Sequence, residues 1–410
     1  MNLNATRSTL NGYGLGENSR RESQSPTRFG AKAFRVGRVF LCFFAATLSM
    51  AHAAERGVAI ESKSTVFDYG NADPFDRGNL YGFNHAASVA QMPNGDVLAA
   101  WFSGPFEGSV HQVIYGARST DGGKTWGQGR VLQDDPQKSD FDPAFIVHGE
   151  RVWMFYSTGR WNRYPFAQQR PGEDAHIGAE SFKIFARHSD DSGVTWSEAT
   201  RVFDSVGWGC RSNGIVLSTG ELILPTHEFL TWTAAALRSE DGGKTWTRSA
   251  EVALPKSGGA AEPSIAELGN GHLMMILRSR DGELRACISV DKGKSWAEPE
   301  KLGITAGNAS SNLLRLSDGR LLLTYSSSPP PHRTELSMRL SVDDGKTWGS
   351  PVGLAETDRV TDGDVFWSKQ VSYPSAAVLR SGVTVVVWGN LALSRESQPG
   401  VIKAARVAVN

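Results

Sequence analysis

Short apolar runs recur along most of this chain, and each follows a glycine in a polar turn. They read "NGDVLAAWF" (94–102), "GERVWMFYS" (149–157), "TGELILPT" (219–226), "NGHLMMIL" (270–277), "DGRLLLTYS" (318–326) and "SGVTVVVWG" (381–389). Each is rich in Leu, Val, Ile and aromatic residues and has the length of a buried strand. Beyond the first 54 residues no stretch keeps a helical period. A second repeat runs beside the first. "STDGGKTW" begins at Ser119, "SDDSGVTW" at Ser189, "SEDGGKTW" at Ser239, "SVDKGKSW" at Ser289 and "SVDDGKTW" at Ser341.

Each octet is explained by turn chemistry. Its Ser and Asp oxygens can accept hydrogen bonds from nearby backbone N–H groups. Its glycine permits positive φ, and its Trp can cover apolar surface between neighbouring units. The octet therefore reads as scaffold. Its starting points lie 70, 50, 50 and 52 residues apart, a spacing expected of a propeller, solenoid or array. Six strand modules without helices predict an all-β chain folded as a six-bladed β-propeller over 55–410. The sixth module has no octet. "VAIESKSTVFDYG" (58–70) is expected to pair with "VIKAARVAVN" (401–410) and close the ring, which removes exposed sheet edges.

The first 54 residues differ. Residues 1–35 are polar and read as disordered. "RVGRVFLCFFAATLSMAHA" then offers basic Arg35 and Arg38, an apolar run from Val39 to Met50, and small residues Ala51 and Ala53. This is the pattern of a signal peptide cleaved after Ala53 or Ala54. The run is too short to span a bilayer. A periplasmic or secreted mature chain with no membrane span is expected.

Charge narrows the partners. Lys+Arg and Asp+Glu both total 43 among 410 residues, so no basic footprint for nucleic acid is present. No Cys/His spacing suits a metal, and neither metal nor cofactor is expected. Cys210 and Cys287 remain in the mature chain, and their pairing is open. A monomer is expected.

Candidate chemistry comes from position. In a propeller the innermost strands surround one axis. Seven to ten residues before the turn glycines Gly95, Gly149, Gly220, Gly271, Gly319 and Gly382 stand His85, Asp142, Arg211, Glu262, Ser310 and Tyr373. Such polar groups are costly to bury unless paired or used. Glu262 and Tyr373 open the parallel strings "EPSIAEL" and "YPSAAVL". A phenol with a pKa near 10 is a poor nucleophile, but an adjacent carboxylate can take its proton. A neutral nucleophile suits a sugar bearing its own carboxylate beside the reacting carbon.

The octets fit the Asp-box pattern S-x-D-x-G-x-T-W. With the strand modules, the chain resembles the sialidase (neuraminidase) superfamily over most of 60–410. The resemblance implies a retaining exo-glycoside hydrolase that removes a terminal acidic sugar such as sialic acid from a glycan. It implies a Tyr373 nucleophile activated by Glu262, with Arg278 and Arg333 on the substrate carboxylate. Arg280 takes the place of Arg278 if the register slips by two.

Two positions depart from the pattern. Where the family has an arginine in blade one, "GFNHAAS" places His85. Where it has an acidic Asp, the loop "SGPFEGSVHQ" (103–112) offers Glu107 as acid/base, with His111 as a second candidate. Asp142 and Arg211 are expected substrate contacts. His227 and Glu228 are expected at the rim, under a loop at 159–180. A non-catalytic carbohydrate-binding propeller and a polysaccharide lyase acting on uronates remain open alternatives.

Overall fold

Every glycine-led run forms the second strand of an antiparallel sheet, and the polar-flanked segment before it forms the first. The structure, a computed structural model, describes residues 57–70, 81–161, 181–254, 258–357, 369–392 and 399–410. The leader expected over 1–54 and the loop residues 162–180 lie outside the described residues.

Six sheets follow one another along the chain. Blade one holds β2 (Phe83–Gln91), β3 (Val97–Gly104), β4 (Val113–Ser119) and β5 (Arg130–Gln133). Blade two holds β6 (Ser139–His148), β7 (Arg151–Gly159), β8 (Lys183–Ser189) and β9 (Thr200–Arg201). Blade three has β10 (Trp208–Cys210) and β11 (Ile215–Val216) both paired to β12 (Leu222–Glu228), then β13 (Thr233–Ser239) and β14 (Thr247–Arg248). Blade four comprises β15 (Ala261–Glu267), β16 (Leu273–Arg278), β17 (Glu283–Ser289) and β18 (Glu300–Thr305). Blade five comprises β19 (Asn312–Arg315), β20 (Leu321–Ser326), β21 (Glu335–Ser341) and β22 (Val352–Glu356). Blade six has β23 (Lys369–Val378), β24 (Thr384–Ala392) and β25 (Gly400–Val409), with β1 (Val58–Phe67) as its outer strand. β1 pairs antiparallel with β25 from Val58↔Val409 to Phe67↔Ile402, so the two ends of the propeller close the ring. This is the six-bladed β-propeller the repeats predict.

The core lies between blades. One apolar cluster joins β3 of blade one to β24 of blade six, through Val97, Ala99, Trp101, Val385 and Val387. Equivalent clusters seal the other five junctions. Five of the six have an octet Trp packed against them: Trp126, Trp196, Trp246, Trp296 and Trp348. The junction between blades five and six has none. It is filled by Trp388 and flanked by Val58 and Ile60 of β1.

The octet turns are locked as their sequence requires. Ser119 Oγ donates to Asp121 Oδ1 at 2.7 Å and accepts from Gly123 N at 2.8 Å. Asp121 also accepts from Lys124 N and Thr125 N. Similar bonds to the carboxylate recur at Asp191, Asp241, Asp291 and Asp343. The hydroxyl and backbone hydrogen bonds of Thr125 hold the Asp121 carboxyl well below the usual range. These carboxylates serve the turns and none lies at the axis.

A further regularity lies in the innermost strands. Their pairing slips between His85 and Ser88, Phe141 and Ala144, Ala261 and Ser264, and Ser372 and Ser375. At each slip a non-glycine residue takes a left-handed backbone: Ala86 (φ 54°), Asp142 (φ 53°), Glu262 (φ 42°) and Tyr373 (φ 58°). Such residues cost on the order of 1–3 kcal/mol each and persist where surrounding structure holds them. Three are followed by proline, Pro143, Pro263 and Pro374. Proline has no N–H to give to a ladder, so a bulge suits it.

Candidate active site

The bulges re-aim one side chain per blade, and three of the four carry an ionisable group. Asp142, Glu262 and Tyr373 occupy equivalent positions in blades two, four and six. In blade one that position is Ala86, and His85 lies one residue earlier in the register. Glu262 enters its strand through Gly258 and Gly259, both with positive φ. A Cβ on Gly259 would stand 2.2 Å from the Cβ of Trp232, so glycine is required for the chain to pass that ring.

At the centre is a triangle of three side chains. Tyr373 Oη donates to Glu262 Oε1 at 3.0 Å. Arg278 Nη1 donates to Tyr373 Oη at 2.9 Å and lies 2.7 Å from Glu262 Oε1. Glu262 Oε2 has no hydrogen-bond partner among the described residues. Arg278 is held in turn by Asn308, whose Oδ1 accepts from Nε at 2.8 Å. Its guanidinium also lies 4.7 Å from the centroid of Trp232. Arg280 stacks on that same indole, at 3.7 Å. Arg278, not Arg280, reaches the Tyr373–Glu262 pair.

Around the phenol ring sit three more groups. The Cζ of Arg211 is 5.2 Å from the ring centroid and that of Arg333 is 5.3 Å. His85 packs edge-on at 4.5 Å. Arg333 is half-buried, with a long contact from Nη1 to Gln370 Oε1 at 3.5 Å. Its own carbonyl accepts from Val371 N at 2.8 Å, which fixes it beside β23.

Electrostatics separate the protonation states. Burial opposes ionisation of Glu262, but the charges of Arg278, His227 and Arg211 outweigh it, and the carboxyl falls to about 2. Burial pushes the Tyr373 phenol up to about 12, against the pull of Arg278. At neutral pH a neutral phenol therefore faces a carboxylate. Burial drives His85 down to about 3, with Arg333 and Arg211 adding to the effect. Burial drives Asp142 well above the carboxylate range although Arg211 opposes it.

The loop bearing Glu107 is tied to blade two. Gly108 N donates to Gln112 Oε1 at 2.9 Å, and Gln112 Nε2 donates to the Asp140 carbonyl at 3.1 Å. Ser139 Oγ donates to the Ser109 carbonyl at 2.7 Å. The Glu107 charge acts on both His85 and Asp142. His111, on the same loop, is exposed.

A family model described as the BNR repeat-like domain matches residues 95–386. The chain belongs to the sialidase/BNR-repeat superfamily. Its sequence is 28% identical over 296 residues to a sialidase of Micromonospora viridifaciens, covering 64% of this chain and 44% of that protein. It is 29% identical over 268 residues to a sialidase of Bacteroides fragilis, covering 57% of this chain and 47% of that one. The chain thus spans about half the length of the curated relatives it matches. Its fold is similar to a leech intramolecular trans-sialidase solved with 2,7-anhydro-Neu5Ac. There the TM-score is 0.64 at 17% identity, with 85% of this chain and 70% of that one covered. It is also similar to a protein of unknown function from Dyadobacter fermentans, with a TM-score of 0.67 at 18% identity over 86% of this chain and 100% of that one.

Within this BNR-repeat propeller the structure gathers Tyr373, Glu262, Arg278, Arg333, His85, Asp142 and Arg211 around one funnel. Two of them differ from expectation. His85 is buried and neutral, so it does not supply the charge of the arginine that the family has at that position. Arg211 is 2% exposed and gives its hydrogen bonds to the protein rather than to the funnel. His227 is buried against Phe229, with ring centroids 4.4 Å apart. Glu228 accepts from Thr231 N and Oγ1 at 2.6 Å and so shapes its own turn. Cys210 and Cys287 are both free and buried. Asn308 and Trp232 escape sequence reasoning, because neither stands at an indexed strand position.

Asp142 yields a test. An unfolded Asp ionises near 3.9, whereas the folded one is raised well above that value by burial. The folded state therefore holds a proton that the unfolded state releases, and stability is lost as pH rises from about 4 towards the folded value. Asp142→Asn removes this loss. The variant is expected to melt higher than wild type at pH 8 and equally at about pH 4, as followed by circular dichroism. A constant difference across pH would contradict the assignment.

Proposed function

We propose that the protein is an exported, retaining exo-glycoside hydrolase that removes a terminal acidic sugar from a glycan. The reading is carried by the Tyr373–Glu262 hydrogen bond at 3.0 Å, in which a neutral phenol meets a carboxylate of low pKa. Tyr373 Oη attacks the anomeric carbon as its proton passes to Glu262. The glycosidic C–O bond breaks, and the leaving oxygen takes a proton from Glu107. A water then gives its proton to Glu107 and attacks the same carbon. The glycosyl–tyrosine bond breaks, and Tyr373 recovers its proton from Glu262.

Two cations are available to a substrate carboxylate. Arg333 has one long side-chain contact, and Arg278 Nη2 has no hydrogen-bond partner among the described residues. A planar guanidinium fits a carboxylate in two places. With His85 neutral, no third cation comes from blade one. A nonulosonic acid or a uronic acid is therefore the proposed sugar. Asp142, whose burial favours the protonated carboxyl, is proposed as a hydrogen-bond donor to a sugar hydroxyl. Export rests on the leader at 1–54, and the mass of the exported chain would reveal cleavage near Ala53 or Ala54.

A panel of fluorogenic sialosides and uronosides tests the reading, with absorbance of unsaturated uronate followed in parallel. Fluorophore release with retained anomeric configuration is expected. New absorbance would replace the proposal with a lyase. Glycan binding without turnover would leave a binding propeller.

A further inference from the structure

We propose that Arg211 is a positioning residue for the nucleophile, a strap from blade three that fixes the bulges of blades one and six. The proposal rests on the reading of Tyr373 as nucleophile. A bulge leaves backbone groups without ladder partners. Ala86 and Ala87 have none across β3, and Tyr373 and Pro374 have none across β24. A single nitrogen of Arg211 supplies both sites. Its Nη2 donates to the Tyr373 carbonyl at 3.0 Å and to the Ala87 carbonyl at 3.2 Å. Nη1 donates to Ser88 Oγ at 3.4 Å. These contacts join residues 162 and 124 positions away in sequence.

The strap is anchored at its own end. Arg211 follows β10, whose Trp208–Cys210 pair with Glu228–Thr226 of β12. Cys210 N donates to Ser157 Oγ at 3.1 Å, which ties that end to blade two as well. Burying a guanidinium is costly unless its donors are used. Here two carbonyls, a hydroxyl and the face of the Tyr373 ring offset much of that cost, while Nε has no hydrogen-bond partner among the described residues. Tyr373 is thus clamped from two sides: its carbonyl by Arg211, and its hydroxyl by Arg278 and Glu262. The fork matters as well as the charge. A lysine ammonium is a point charge on a flexible stem and does not reproduce the planar array.

Two variants separate geometry from charge. Arg211→Lys keeps the charge and loses the fork, while Arg211→Gln loses both. On whichever acidic-sugar substrate wild type turns over, kcat is expected to fall about 100-fold in each with KM little changed, the scale of a misplaced reacting group. The acid limb of the pH profile is expected to move to higher pH in Arg211→Gln, because Glu262 loses one of its cations, and to stay in place in Arg211→Lys. A second readout needs no turnover. The ring resonances of 13C-labelled Tyr373, assigned by their absence in Tyr373→Phe, are expected to shift in both variants while those of the other tyrosines hold.

A rise in KM alone would place Arg211 on the substrate and overturn the proposal. So would folded variants with unchanged kcat and an unmoved Tyr373 resonance. If wild type turns over no acidic sugar, the functional reading fails and the ring resonance alone decides the strap. If neither Arg211 variant folds, Ser88→Ala removes one acceptor and keeps the charge. A moved Tyr373 resonance there supports the strap, and an unmoved one overturns it.

Discussion

Tyr373→Phe is expected to lower kcat/KM on acidic-sugar substrates by on the order of 10³-fold or more, because in the proposed mechanism the attacking atom is gone. The fold is expected to survive. The lost hydroxyl gives up one bond to Glu262 and one from Arg278, yet those two partners still hold each other at 2.7 Å. No buried charge is left alone, so the cost in stability is about 1 kcal/mol. Steady-state kinetics with a fluorogenic substrate, beside a melting curve, checks both halves. A fully active, well-folded variant would remove Tyr373 from the chemistry.

Arg278→Met is expected to damage stability as well as activity. Glu262 is 8% exposed, and its carboxyl stays ionised down to about pH 2 because of the cations around it, with Arg278 the largest favourable contribution. Removing one partner of a buried pair costs about 3–5 kcal/mol, since an uncompensated charge is left behind. The pH dependence should invert. In wild type the folded pKa of Glu262 lies below the unfolded one, so its contribution is present above about pH 4.3 and lost as pH falls towards 2. In the variant burial dominates and the folded pKa lies above the unfolded one. Stability is then lost as pH rises above about 4.3. Urea unfolding at pH 5 and pH 8 measures the slope. Adding Glu262→Gln removes the orphaned charge and should restore much of the loss. Full additivity of the two substitutions would show that the pair is uncoupled.

Much of the scaffold is legible in the chain because its rules are local. The octet writes a turn whose donors and acceptors all lie within eight residues, as at Ser119–Trp126. The glycine before each apolar run marks where the second strand of a blade begins. Counting modules yields six blades, and the unmatched ends at 58–70 and 401–410 point to one another. Counting back from the turn glycines also lands on Asp142, Glu262 and Tyr373, since the path from bulge to turn is nearly constant. In blade one that count lands on His85 rather than on the bulge residue Ala86, yet the imidazole still packs against Tyr373.

The sequence by itself determined the period, the number of blades, the closing strand and the blades that deliver a phenol and a carboxylate to the axis. These follow from strand length, turn chemistry and burial of apolar faces, which act over a few residues. Only the tertiary structure decided what those groups are able to do. Glu262 and Tyr373 are 111 residues apart, and Arg278 and Tyr373 are 95 apart. Their protonation depends on ångström-scale distances and on burial that no single segment sets. The same holds for Arg211 and His85. Whether a guanidinium meets a substrate or a backbone carbonyl, and whether an imidazole carries charge, is fixed by what the neighbouring blades place against it.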